Sequence, residues 1–103
     1  MKQTEQMNEK LDWYENLLTD KQKSICDMYY REDYSLSEIS ENLTISRAAV
    51  QDALKKSEKI MNELEEKLQL IHKYHARVKI YGKIKELKFE QVNLLVQQLE
   101  DIE

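Results

Sequence analysis

The sequence predicts an all-α protein, a helix-turn-helix bundle extended by a long C-terminal helix or a helical hairpin. Three observations carry this expectation. The 103 residues include no proline and one glycine, Gly82, so the tight turns of many-stranded sheets and glycine-rich phosphate loops have almost no residues to build them. Apolar residues recur at spacings of three and four through most of the chain, the period of an amphipathic helix. Thr19, Ser35 and Ser46 each stand directly before such a run, as helix N-caps do. The hydrophobic content of 41% suits one modest core. A single domain over residues 1–103 is therefore expected, with the bundle at 1–60 and an extended helical arm at 61–103.

The first helix is expected over residues 4–18, where Met7, Leu11, Tyr14 and Leu18 make one stripe. Thr19 and Gln22 then form a capping box, the side chain of each serving the backbone N–H of the other. The helix behind it would turn Ile25, Cys26, Met28 and Tyr29 inward. Ser35 and Glu38 make a second capping box before Leu36, Ile39 and Leu43, a helix of about two turns. Ser46 caps the third helix of the set, with Val50, Ala53 and Leu54 facing inward.

Beyond it, Met61, Leu64, Leu68 and Ile71 follow at three, four and three, the seam of a coiled coil, and Val78 continues it. With no proline after residue 46, one very long helix is expected, or two jointed near Gly82. Such a seam needs a partner, so homodimerisation through Met61, Leu64, Leu68, Ile71 and Val78 is expected. The alternative is that the last helix folds back as a hairpin.

Composition also bounds the chemistry. Cys26 is the only cysteine and has no internal disulfide partner; the chain opens on polar residues and no apolar run reaches the roughly 18 residues of a membrane span. A cytoplasmic protein is expected. His72 and His75 could share a helix face, but no third ligand is placed to complete a metal site. Cys26 reads as a small core residue, and Glu65 and Glu66 as a solvated face. No catalytic constellation, metal or cofactor is expected.

The net charge of −4 conceals a strong asymmetry. Residues 1–45 carry −5, residues 72–88 carry +5 and residues 89–103 carry −4. A polyanion would meet a basic surface mainly in the second half of the chain.

The stretch "LLTDKQKSICDMYYREDYSLSEISENLTISRAAV" resembles region 4 of sigma-70-type factors. The combination of "WYENLLTDKQ", "MYYREDYSLSEIS" and "ISRAAVQDALKKSEKIMNELEEKL" with a charged helical tail resembles the YlxM family of small bacterial helix-turn-helix proteins, over roughly residues 7–88. The resemblance implies a sigma-factor region-4-like fold without catalysis. It also implies a link to the signal recognition particle pathway, with that particle's RNA and its GTPase as partners.

In a helix-turn-helix the second helix enters the major groove. Inward Val50 and Ala53 leave Arg47, Ala48, Gln51, Asp52 and Lys55 outward. Arg47 suits guanine or phosphate, Gln51 suits adenine, and Lys55 or Lys56 suits the backbone. The sigma-like pattern carries more arginine here, so the motif reads either as a DNA reader or as a retained packing scaffold. Thr44 stands where such turns often have glycine; positive φ would strain a β-branched residue, so a different turn conformation or an altered helix angle is expected. A second candidate is "HKYHARVKIYGKIKELK", where Lys73, Arg77, Lys79, Lys83 and Lys85 interleave with Tyr74 and Tyr81, a pattern suited to RNA. The alternative is that these lysines are a solvated face and the tyrosines core.

Overall fold

Thr19, Ser35 and Ser46 start three of the helices in the structure, a computed structural model that describes residues 4–103. The polar opening at residues 1–3 lies outside the described residues. Helix α1 spans Thr4–Tyr14, α2 Asp20–Cys26, α3 Leu36–Leu43, α4 Arg47–Leu68, α5 Leu70–Glu86 and α6 Glu90–Ile102. The first expected helix is shorter than its apolar stripe, because the chain tightens into a 3₁₀ turn at Glu15–Leu17 before Leu18 seats in the core.

Both capping boxes are formed. Gln22 N–H donates to Thr19 Oγ1 at 3.2 Å and Thr19 N–H to Gln22 Oε1 at 3.0 Å. Ser35 and Glu38 repeat the exchange at 3.1 and 3.0 Å. Ser46 Oγ accepts from Ala49 N–H at 3.0 Å and opens α4. Each bond satisfies a donor the first turn would otherwise leave without a partner, worth about 1 kcal/mol.

The chain divides into two compact units, one ending at Ile71 and one from His72 to Glu103. In the first, α1, α2 and α3 pack around α4. Val50, Leu54, Ser57 and Met61 recur at four, three and four along α4 and are all buried, against Leu11, Tyr14, Ile25, Cys26 and Ile39. Each large apolar side chain removed from water here contributes roughly 1.5–3 kcal/mol. Ser57 is the one buried polar side chain among the described residues, and its hydroxyl donates to the Ala53 carbonyl at 2.7 Å.

One inner face differs from expectation. After α2 the chain widens into a π turn at Asp27–Arg31, closed by Glu32 N–H on Asp27 O at 3.0 Å. A π turn holds one residue more than an α turn, which rotates Tyr30 into the core and leaves Met28 and Tyr29 half-buried. The Tyr30 hydroxyl donates to Glu58 of α4. Its ring meets Tyr29 edge-on at 4.9 Å.

The long helix is broken at two places, neither of them Gly82, which lies inside α5. The first break is Gln69, in the left-handed conformation with φ 55° and ψ 32°. Glu65 holds it: its Oε1 accepts from the Tyr14 hydroxyl at 2.6 Å and from Ile71 N–H at 3.0 Å, tying α1, α4 and the start of α5. The second is Leu87–Phe89, where Lys88 takes φ 58° between α5 and α6. The expected joint is thus displaced: Gln69 is fixed by tertiary hydrogen bonds, and α5 carries Gly82 in its interior at a cost of about 1 kcal/mol, too little to break the helix.

The expected dimerisation seam is largely internal. Met61 and Ile71 are buried in the first unit's own core and Leu64 packs against it, leaving Leu68 and Val78 exposed. In the second unit α6 turns back along α5, so the hairpin arrangement is the one found. Arg77 bonds Glu103, Tyr81 hydroxyl lies 3.4 Å from Glu103 Oε1, and Lys85 Nζ lies 2.6 Å from Glu100 Oε1. The last contact is close enough for an ion pair but poorly aligned as a hydrogen bond. No helix among the described residues is long and apolar enough to cross a membrane.

Candidate nucleic-acid interface

The turn between α3 and α4 positions the first turns of α4. Thr44 adopts the left-handed conformation, φ 56° and ψ 45°, so the expectation of a different turn conformation is overturned. Thr44 N–H bonds Glu41 O at 3.4 Å and Ile45 N–H bonds Ser40 O at 3.1 Å, the paired bonds of a Schellman motif. Ile45 then packs with Ile39 on the core, a contact that such a motif commonly includes and that repays the strained residue. The turn therefore has the ordinary geometry of a helix C-terminus, with threonine in the position that favours glycine.

From that frame α4 turns Val50 and Leu54 fully inward and half-buries Ala53. Arg47, Ala48, Gln51, Asp52, Lys55 and Lys56 are exposed. Arg47, Gln51 and Lys55 have no side-chain partner among the described residues, whereas Lys56 Nζ lies 3.0 Å from Asp52 Oδ2 one turn back. Asp52 thus neutralises one of the face's own cations. Sequence spacing alone carries that signal, since i and i+4 side chains meet on a helix.

The first unit also holds a polar brace. Arg31 donates to Asp12 at 2.7 Å, to Glu15 Oε2 at 2.7 Å and to Asp27 at 3.3 Å, joining α1, the 3₁₀ turn and the π turn. The Arg31 guanidinium holds the Glu15 carboxyl below its ordinary range, against the opposing effect of burial. Burial and the bond to Glu58 raise the Tyr30 phenol, and burial raises the Cys26 thiol. Burial and Glu65 push Tyr14 up to about 12. None of these groups was singled out as functional from the sequence, and they serve the scaffold.

The second candidate stripe is divided by the hairpin. Arg77 and Lys85 face Glu103 and Glu100, so their charge is met within the unit. Lys73, Lys79 and Lys83 are exposed with no acidic partner among the described residues. Tyr81 is buried and unavailable for base stacking; Tyr74 is half-buried, edge-on to His75 at 5.9 Å. No three His, Cys, Asp or Glu side chains gather at metal-binding spacing among the described residues.

Comparison with known proteins agrees with this geometry. The family model UPF0122, describing helix-turn-helix proteins like YlxM and p13, matches residues 1–102. The chain is 39% identical over 108 residues to the UPF0122 protein YlxM of Bacillus subtilis, covering 100% of this chain and 98% of the relative. A UPF0122 protein of Oceanobacillus iheyensis is 43% identical over 101 residues, covering 97% and 96% of the two chains. One from Listeria innocua is 41% identical over 98 residues, covering 95% and 88%. With its capped α3, its Schellman turn and the open face of α4, the chain belongs to the YlxM/p13-like family of helix-turn-helix proteins.

Proposed function

We propose that the protein is a non-enzymatic regulatory or accessory factor that docks the amino-terminal half of α4 on nucleic acid. One observation carries this reading: Arg47, Gln51 and Lys55 stand exposed, and unpartnered among the described residues, on the outward side of a helix whose inward side, Val50 and Leu54, is locked into the core. Such a face combines a phosphate or guanine ligand, an adenine ligand and a backbone cation on a rigid support. Asp52 weakens it, so the affinity for duplex is modest and salt-sensitive.

Within that reading, a role beside the signal recognition particle in the cytoplasm is the finer proposal, suggested by family resemblance. The exposed Lys73, Lys79 and Lys83 can supply phosphate contacts to such an RNA as a second ligand. The test is binding of the purified protein to that particle's RNA, to its GTPase and to random duplex DNA, at low and at physiological salt. Loss of duplex binding in Arg47→Ala and Gln51→Ala supports the α4 face. Binding to none of the three, or binding indifferent to these substitutions, overturns it. RNA binding that survives physiological salt and fails in the Lys79→Ala, Lys83→Ala variant supports the accessory role.

A further inference from the structure

The second unit turns the wrong side of α6 inward. The residues of α6 and its C-cap directed at α5 are Asn93, Val96, Glu100 and Glu103, three of them polar, and the side-chain oxygen of Asn93 is buried without a hydrogen-bond partner among the described residues. Its more apolar stripe, Val92, Leu95, Leu99 and Ile102 at three, four and three, stays open; Leu95 is 60% and Ile102 81% exposed. On α5, Ile80 and Leu87 are likewise 55% and 62% exposed. At about 100° per residue, each open stripe lies roughly a quarter-turn from the side facing the other helix, in the same rotational sense. In two helices running back along each other that places both stripes on one side, as a continuous apolar face.

This face needs an occupant. Tyr81 and Val96 are the only buried hydrophobics from His72 to Glu103, and a unit shorter than ~40 residues seldom holds together without a staple or a partner. Charge says which partner fits. The segment 72–88, mostly α5, carries +5 and the segment 89–103, mostly α6, carries −4. A second copy brought face to face about a two-fold axis parallel to the helices sets each α5 against the partner's α6. Every helix of the resulting four-helix bundle then has two neighbours of opposite charge, with like charges on the diagonals. The outer edge of the α6 stripe is lined by the uncharged Gln91 and Gln98, so nothing on that edge repels a copy. Two helices about 20 Å long and spaced roughly 10 Å apart give a footprint of roughly 20 by 20 Å, about 400 Å², half the ~800 Å² per partner of a standard interface, so the dimer is expected to be a weak one that forms at micromolar concentration.

We infer that the protein forms a homodimer through this α5–α6 face, each α5 packing against the α6 of a second copy. The seam through Met61 and Ile71 has no part in it, being internal to the first unit. The interface is independent of the nucleic-acid reading, and its test uses no nucleic acid.

The experiment is sedimentation equilibrium on the full chain at low and high micromolar concentration. The wild type is expected at about 25 kDa, twice the chain mass of 12.4 kDa, and the Leu95→Glu, Leu99→Glu variant at the monomer mass with its far-ultraviolet helix signal retained. A wild type that stays monomeric at high micromolar concentration overturns the inference, as does a double variant that remains dimeric. A second variant fixes the arrangement without disturbing the face. Lys83→Cys with Gln98→Cys puts thiols on the outer edges of α5 and α6, apart within one chain but adjacent between copies. A short bismaleimide should link most chains into covalent dimers, and should fail once Leu95→Glu and Leu99→Glu are added. Absence of the link in a dimeric protein overturns the pairing of α5 with the partner's α6.

Discussion

Replacing Thr44 by glycine should stabilise the protein, and the size follows from the turn. Thr44 sits at φ 56° and ψ 45° with its side chain exposed and not hydrogen-bonded among the described residues. A left-handed conformation costs an L-residue roughly 1–2 kcal/mol, through the clash of Cβ with the following carbonyl oxygen, and a β-branched residue is the worse case. Glycine escapes that clash but loosens the unfolded chain by about 0.4–1 kcal/mol. The difference is a stabilisation of roughly 0.5–1 kcal/mol for Thr44→Gly. At about 4–8 °C per kcal/mol for a domain this size, that raises Tm by roughly 2–8 °C. Urea titration and thermal melting followed by helix circular dichroism measure both figures. Thr44→Asn should also stabilise, since asparagine tolerates the left-handed region while keeping the unfolded chain stiffer than glycine does. If both variants are no more stable than wild type, the strain argument is wrong, and the threonine must contribute an interaction that offsets its backbone.

Three further outcomes are expected. Asp52→Asn frees Lys56 on the outer face of α4, so duplex affinity should rise and the slope of log affinity against log salt should steepen by about 0.9 for the one added phosphate contact; an unchanged slope in an anisotropy titration would place the contact elsewhere. Glu15 is held below its ordinary 4.5 chiefly by its bond to Arg31. Its contribution is therefore present above that pH and lost as pH falls through the lowered value. Arg31→Met should flatten this acid limb in stability measured from pH 6 down to pH 3. Tyr14, raised from 10.0 to about 12 by burial and by Glu65, contributes stability that is fully present below pH 10 and lost as pH climbs through 12. Tyr14→Phe should cost about 1–3 kcal/mol at neutral pH, as loss of a hydrogen bond to a charged group does. Its deficit against wild type should shrink between pH 10 and pH 11.

The local sequence determined the starts of the helices. Thr19 with Gln22, Ser35 with Glu38, and Ser46 each place a short polar side chain within reach of N–H groups two or three residues on. Such bonds depend on nothing farther along the chain. The inward stripes of α1 and α4 were legible for a similar reason: Leu11, Tyr14, Val50 and Leu54 repeat at the helical period whatever they pack against. The outward position of Arg47, Gln51 and Lys55 follows directly from that phase.

What the sequence left open are the features that depend on contacts between distant residues. A seam of Met61, Leu64, Leu68 and Ile71 has the same spacing whether it meets a second chain or its own bundle, and only the tertiary packing shows that Met61 and Ile71 turn into their own core. The break at Gln69 carries no helix-breaking residue; Tyr14 and Glu65, 51 positions apart, help to hold it there. Tyr30 turned inward because a π turn added one residue to the register, an irregularity that apolar periodicity does not encode. Caps and phases are short-range and were decided by the chain itself. Joints and register shifts are long-range, and only the tertiary structure decided them.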